Sequence, residues 1–127
     1  PMHLIIDGYG ANTKLLEDRE LIANFLDSYP ATIDMHKVAP HRVFRYVGSK
    51  PEDWGFSGFV LIAESHISIH TFVERSYINI DVFSCRSFDF HRVIRDIKET
   101  FQLTKIHSCI LNRGLEYLEA KRLEAVV

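Results

Sequence analysis

The sequence predicts an α/β protein of the α+β type: a two-layer sandwich in which an antiparallel sheet carries two helices packed on one face. Three observations favour this class. Strand-like and helix-like segments alternate along the chain, the middle is rich in hairpin patterns, and 127 residues suit a single domain, residues 1–127. Helices on one face of an antiparallel sheet satisfy that order with short connections.

The strands are predicted from apolar runs and from alternation of apolar and polar residues. In residues 77–83, Ile78, Ile80 and Val82 share one face and polar or aromatic residues share the other. Similar patterns predict strands at residues 3–9, 32–38, 56–63, 67–72 and 105–111. Residues 40–55 read as a long connecting loop with a short strand at 43–47, and loops of that length are often functional.

The helices are predicted from helical spacing of apolar residues and from their capping residues. Asp18 is expected to cap a helix over residues 18–28, and Pro30 is expected to end it. Asp89 is expected to cap a second helix, which buries Val93, Ile97 and Phe101. The charged segment after Gly114 is expected to be helical or frayed.

Composition and charge exclude several classes of partner. The net charge of −2 and the scattered basic residues argue against nucleic acid and anionic membranes, and no apolar run approaches the roughly 20 residues of a membrane span. Cys85 and Cys109 lie far apart and form no CxxC pair, which suits free thiols in a cytoplasmic protein. The N-terminal residues show no signal-peptide pattern, so we expect a cytoplasmic location.

The stretch Glu64-Ser65-His66, followed by His70, is the main candidate for a reactive or metal-binding site. If the segment is a strand, His66 and His70 are about 13 Å apart at the backbone, so we predict no metal site. No GxSxG elbow surrounds Ser65 and no phosphate-binding glycine loop is present. By residue type alone, Ser65 is a turn serine and Cys85 a half-buried thiol, although alternation places Cys85 on the polar side of its strand.

The chain resembles the prokaryotic S-adenosylmethionine decarboxylase family through an ordered set of motifs. These are Ser57-Gly58, Glu64-Ser65-His66, Ile69-His70-Thr71 and the run from Asp81 to Cys85. Looser similarity covers residues 3–114.

This resemblance implies a cofactor that the protein makes from its own chain. Ser65 would attack the carbonyl of Glu64, and the chain would break between them, leaving an N-terminal pyruvoyl group at residue 65. The resemblance assigns Ser57 and His70 to this processing. A pyruvoyl ketone forms a Schiff base with the substrate amine and accepts the electrons released when carbon dioxide leaves. Cys85 would then return a proton to the carbon.

The family also implies a small-molecule substrate and a homodimer of processed protomers with active sites at or near the interface.

Ser65 and His70 are an odd number of residues apart, so a regular strand points them to opposite faces. Their cooperation requires a turn or distortion at Glu64-Ser65, and a strained peptide there would favour the acyl shift.

The match departs from the family near the substrate. Phe72-Val73-Glu74 stands where the family commonly has Trp-Pro-Glu, and we assign Phe72 and Glu74 to substrate binding. The family's adenine-stacking ring is missing after His36-Lys37, and Phe44, Tyr46 and Trp54 are candidates to replace it.

Two alternatives follow from these departures. One is a pyruvoyl-dependent ornithine or arginine decarboxylase of the same family, with Asp7, Glu52, Asp53 or Glu74 facing a basic substrate. The other is a non-cleaving, non-catalytic binding homologue.

Overall fold

A six-stranded antiparallel sheet forms the centre of the fold. The computed structural model describes residues 1–115 of the chain. The strands are β1 (Met2–Tyr9), β2 (Arg42–Val47), β3 (Trp54–Ile62), β4 (Ser65–Phe72), β5 (Tyr77–Ser84) and β6 (Lys105–Asn112). They lie side by side in the order β2-β3-β4-β5-β1-β6, and every neighbouring pair is antiparallel.

Up to residue 112 the sheet is joined by three α-helices: α1 (Thr13–Leu16), α2 (Arg19–Thr32) and α3 (Phe90–Phe101). Asp18 and Asp89 cap α2 and α3 as predicted, and each carboxylate accepts a hydrogen bond from a backbone N–H in the first turn. The short helix α1, capped by Asn12, was not predicted, because four residues carry no readable helical period.

The core lies between the sheet and the two long helices. Alternate residues of the central strands, such as Ile6, Ile69 and Ile80, are buried together with Leu26 and Phe101 from the helices. Gly58 on β3 permits the close approach of α2, since a Cβ there would lie 2.8 Å from Leu26 Cδ1. The two-layer α+β prediction is confirmed.

The opposite face of the sheet, which we call the open face, carries the other alternate residues. It includes Asp7, Ser57, His70 and Asn79, which are partly or fully exposed. No helix among residues 1–115 covers these positions. The same residues contain no helix long and apolar enough to cross a membrane.

The prediction for residues 30–38 is wrong. Pro30 lies inside α2, in its last turn, where the buried Tyr29 and Pro30 hold the helix against the core. The predicted strand at 32–38 does not form, because Asp34 adopts a left-handed φ of 58° and turns the chain. Only Lys37 joins the sheet, through an isolated bridge to Ile62.

The middle of the chain is more regular than predicted. The expected loop at 40–55 is largely a hairpin in which Arg42 to Val47 pair with Phe59 to Trp54, so β3 begins two residues earlier than predicted. The short strand at 43–47 is confirmed within β2. The predicted helical or frayed tail after Gly114 lies, from residue 116 onward, outside the described residues.

Candidate functional site

The turn between β3 and β4 contains the Glu64-Ser65 peptide. Ile62 pairs with Ser65, so Ala63 and Glu64 form a two-residue connection. Ser65 has a φ of +155°, a value that serine rarely adopts. Such a conformation costs a non-glycine residue about 1–3 kcal/mol and persists only where the surroundings impose it. The distortion predicted at this peptide is therefore present.

Glu64 is fixed from both sides of the turn. Its backbone carbonyl accepts a hydrogen bond of 2.7 Å from the N–H of Cys85. Its buried carboxylate accepts another, of 3.0 Å, from the N–H of His36, and the His36 ring lies 3.2 Å from its second oxygen. The His36 N–H holds the pKa of the Glu64 carboxyl below its ordinary value.

The hydrogen bond to the Glu64 carbonyl has a direct chemical meaning. Attack by a nucleophile at this carbon moves negative charge onto the oxygen that Cys85 N–H already contacts. A preorganised backbone donor at that position stabilises the charge as it develops. The geometry suits an acyl transfer at residue 64.

Cys85 is brought to the same end of the sheet as Ser65. Ser84, the last residue of β5, pairs with Ser65, and Cys85 follows directly. Its thiol is free and exposed, in contrast to the half-buried thiol expected from residue type. The structure therefore gathers Glu64, Ser65 and Cys85 into one group.

Ser57 and His70 form a second group on the open face. They are directly paired across β3 and β4, and Ser57 Oγ lies 2.8 Å from His70 Nδ1. A hydroxyl at this distance from an imidazole is arranged for proton exchange. His66 shares the face but packs instead against Phe83, with ring centroids 5.5 Å apart.

The two groups do not meet within one chain. Ser65 and His70 are five residues apart on the same strand, which corresponds to about 16 Å at the rise of a β-strand.

Phe72 and Glu74 lie at the opposite end of β4, beside a cavity of about 370 Å³. Its walls include Tyr46, Trp54, Phe72 and Tyr77, together with an ion pair between Asp53 and Arg75. Phe72 stacks on Tyr77 with ring centroids 5.0 Å apart. The next residue pair along the chain, Val73 and Glu74, opens a 3-10 turn, Val73–Arg75, and the Glu74 carboxylate accepts a hydrogen bond from Trp54 Nε1.

The model of the S-adenosylmethionine decarboxylase family matches residues 2–114. The chain belongs to this family. A relative named S-adenosylmethionine decarboxylase proenzyme, from Clostridium botulinum (strain Langeland), is 37% identical over 113 residues, which is 88% of this chain and 92% of that relative.

Two further members of the S-adenosylmethionine decarboxylase family extend the comparison. A proenzyme of the same name from Archaeoglobus fulgidus is 30% identical over 115 residues, covering 88% of this chain and 96% of the relative. The crystal structure of the adenosylmethionine decarboxylase from Aquifex aeolicus VF5 superposes with a TM-score of 0.74 at 26% identity, covering 89% of each chain.

Several features of this family member escaped the sequence analysis. The backbone N–H of Cys85 carries no sequence signal, because every residue except proline has one. Tyr77 and Arg75 were not identified as cavity residues. Of the three candidate rings, Tyr46 and Trp54 line the cavity, whereas Phe44 lies under the Arg42 guanidinium.

Most of the acidic residues that could face a basic substrate are already bonded to other side chains. Asp53 pairs with Arg75 at 2.5 Å, and Asp7 accepts a hydrogen bond of 2.7 Å from the Tyr77 hydroxyl. Glu74 is bonded to Trp54 through one oxygen. Glu52 is exposed.

Proposed function

We propose that this protein is a pyruvoyl-dependent S-adenosylmethionine decarboxylase that cleaves itself between Glu64 and Ser65. One observation carries the proposal. The peptide bond expected to break has a distorted residue on one side, with φ of +155° at Ser65, and a backbone donor 2.7 Å from its carbonyl oxygen. Because the chain belongs to the S-adenosylmethionine decarboxylase family, the reaction we assign to this geometry is self-cleavage. The product would be the aminopropyl donor for spermidine synthesis.

The residues present supply each requirement of the processing step. The hydroxyl of Ser65 adds to the Glu64 carbonyl, the C–N bond breaks, and an ester links the two residues. Loss of the Ser65 α-proton then expels the Glu64 carboxylate and leaves dehydroalanine, which water converts to a pyruvoyl group and ammonia. The Cys85 N–H stabilises the oxyanion of the first step. The Ser57–His70 pair is suited to move the protons.

The same residues fit the decarboxylation. The pyruvoyl ketone, when formed, supplies the electron sink that loss of carbon dioxide requires. The exposed thiol of Cys85 is positioned at the same end of the sheet to return a proton to the substrate carbon. Phe72 and Glu74, beside the aromatic cavity, offer a flat stacking surface and a hydrogen-bond acceptor to a nucleoside.

The separation of about 16 Å along β4 supports a homodimer with shared sites. In a two-fold assembly, a residue of the first subunit that contacts a given position of the second subunit has an equivalent contact in the opposite direction, so each interface contact occurs twice. Packing two open faces in this way sets the Ser57–His70 pair of one subunit against the Glu64-Ser65 junction of the other. Exposed Phe44, Phe59 and Leu61 on that face give it the apolar surface that such packing buries. This arrangement is part of the proposal, as is the cytoplasmic location.

A decarboxylation assay across three substrates tests the activity. The purified protein should release carbon dioxide from S-adenosylmethionine, and ornithine and arginine should be poor substrates because Asp7 and Asp53 are engaged with Tyr77 and Arg75. Ser65→Ala is the matched control, since it removes only the attacking hydroxyl. Preferred turnover of ornithine or arginine would refute the substrate assignment. Activity of Ser65→Ala would refute the self-made cofactor.

A further inference from the structure

A short segment of the chain, residues 36–38, runs along the edge of β3 beside the cleavage turn. We call it the anchor segment. Lys37, in its centre, forms an antiparallel bridge to Ile62. The N–H of Ala63 donates a hydrogen bond of 2.7 Å to the His36 carbonyl. The anchor segment therefore holds the turn on the side of β3 that faces away from β4.

His36 holds the Glu64 side chain with two hydrogen bonds. Its backbone N–H donates to Oε1 at 3.0 Å, and its ring Nδ1 lies 3.2 Å from Oε2. An ionised carboxylate only accepts hydrogen bonds, so Nδ1 carries the proton. The Glu64 side chain is 11% exposed. Because little water reaches the carboxylate, water replaces a lost His36 bond only in part.

The residues around the anchor segment fix it to the rest of the fold. Met35 is buried, and its N–H donates to the Pro30 carbonyl at 2.8 Å in the last turn of α2. Arg86 donates to the Asp34 carbonyl, and the charged groups of these two residues lie 3.9 Å apart. Arg86 directly follows the residue whose N–H binds the Glu64 carbonyl, so the two sides of the turn are bonded to each other.

Glu64 is thus held at two points by groups that are themselves linked. The His36 contacts fix its carboxylate, and the Cys85 N–H binds its carbonyl at 2.7 Å. A rotation of the Glu64 backbone that moves the carbonyl away from Cys85 also displaces the side chain from His36. Ser65 follows with a φ of +155°, and a distorted conformation persists only where its surroundings impose it. The two contacts supply that constraint.

We infer that His36 is a positioning residue for self-cleavage, which holds the Glu64 side chain so that the Glu64 carbonyl stays on the Cys85 N–H. This role rests on the proposed function and deepens it by assigning a residue that acts on the first step. In that step the Ser65 hydroxyl adds to the Glu64 carbonyl carbon, the C–N bond breaks, and the hydroxyl proton passes to the amine nitrogen. His36 forms no bond in the reaction. It acts through Glu64, by keeping the carbonyl on the donor that stabilises the oxyanion.

His36→Ala removes the ring and keeps the backbone N–H. In a cell-free synthesis pulse followed on a denaturing gel, the full chain of this variant should cleave about tenfold more slowly than the wild-type chain, because it lacks a hydrogen bond to a charged group. His36→Asn should restore most of the rate, since its amide nitrogen can donate from a position close to that of Nδ1. His41→Ala is the matched control. It removes another histidine whose Nδ1 faces a carboxylate, 3.6 Å from Asp27, and it should cleave at the wild-type rate.

Hydroxylamine identifies the step that His36 affects. It cleaves the ester formed by the acyl shift and leaves an ordinary peptide bond intact. If His36 acts before the ester forms, hydroxylamine should not bring His36→Ala to the wild-type rate. Full restoration by hydroxylamine overturns the inference, as does a His36→Asn variant that cleaves no faster than His36→Ala.

Hydrogen exchange at the Cys85 amide tests the positioning without any cleavage. In the Ser65→Ala background, His36→Ala should lower the protection of this amide about tenfold and leave that of Ile80, in the middle of β5, unchanged. Glu64→Ala removes both hydrogen bonds to His36, so adding His36→Ala to it should lower the protection no further. Equal losses at both amides indicate general destabilisation and overturn the inference, as does unchanged protection at Cys85.

The two experiments also distinguish this role from the proposed function. If the wild-type chain cleaves and His36→Ala cleaves at the same rate, the enzyme stands and the role of His36 is refuted. If the wild-type chain never cleaves, the proposed function fails, and hydrogen exchange at Cys85 still decides whether His36 holds the peptide.

Discussion

Co-expression of Ser65→Ala with His70→Ala should restore cleavage that neither variant performs alone. The first variant lacks the attacking hydroxyl but keeps the Ser57–His70 pair. The second keeps the hydroxyl but lacks the imidazole. Within one chain these positions lie about 16 Å apart on β4, a distance that no side chain bridges. A shared site would combine the intact half of each variant.

The expected extent of restoration follows from the symmetry. When two variants are produced in equal amounts and pair at random, about half of the dimers contain one chain of each kind. Each mixed dimer has one site with both defects and one site with none. Cleavage should therefore reach about half of the His70→Ala chains, which is about a quarter of all chains.

The assay is a denaturing gel of the co-purified dimer, with a different affinity tag on each variant. A mixture of His70→Ala with Ser57→Ala is the matched negative control. These two residues are bonded partners in one subunit, so each site of the mixed dimer lacks one of them. Absence of cleavage in verified dimers of Ser65→Ala with His70→Ala would refute the shared site, as would equal cleavage in the control.

Three further predictions concern turnover, packing and pH. Cys85→Ala should cleave at nearly the wild-type rate, because alanine keeps the backbone N–H, yet it should lose most decarboxylase activity; equal losses in gel and rate assays would undo this division of roles. Phe101→Ala, measured by urea unfolding in the uncleaved Ser65→Ala background, should cost about 3–5 kcal/mol because the ring is fully buried, and a loss below 1 kcal/mol would contradict the core described above. In the same background, the free energy of unfolding should fall as the pH drops below about 4.5 toward the lowered pKa of Glu64, since the unfolded chain then binds the proton more tightly. Glu64→Gln should flatten this pH dependence. An unchanged loss of stability at acid pH in Glu64→Gln would refute the His36 contact as the cause of that loss.

Sequence patterns were sufficient where local and tertiary preferences agree. The alternation at Ile78, Ile80 and Val82 predicts β5 because one face of that strand is buried under helices. The caps Asp18 and Asp89 predict the beginnings of α2 and α3 because the capping bond is local.

The errors arose where tertiary packing overrode a local rule. Pro30 usually ends a helix, but near the end of α2 it removes few hydrogen bonds, and its burial beside Tyr29 favours one more helical turn. The residues that follow have the alternation of a strand, but Thr32 belongs to α2 and Asp34 adopts a left-handed φ.

The sequence suggested which residues form the candidate site, but it did not indicate how they are arranged. The motif containing Glu64, Ser65 and His70 is contiguous in sequence, which suggests one cluster. The pairing of β3 with β4 instead places Ser57 beside His70 and leaves Ser65 at the far end of the strand. Spacing along a chain reports distance along a strand, whereas the shared site that we propose between two subunits has no signature in one sequence.

The intact mass of the purified wild-type protein tests self-cleavage at Ser65 most directly. Two fragments should be found, residues 1–64 with an ordinary carboxyl terminus and residues 65–127 with a blocked N-terminus, lighter by the mass of ammonia than the serine-initiated fragment. A single full-length chain with serine at position 65, persisting after prolonged incubation, would contradict the proposed enzyme.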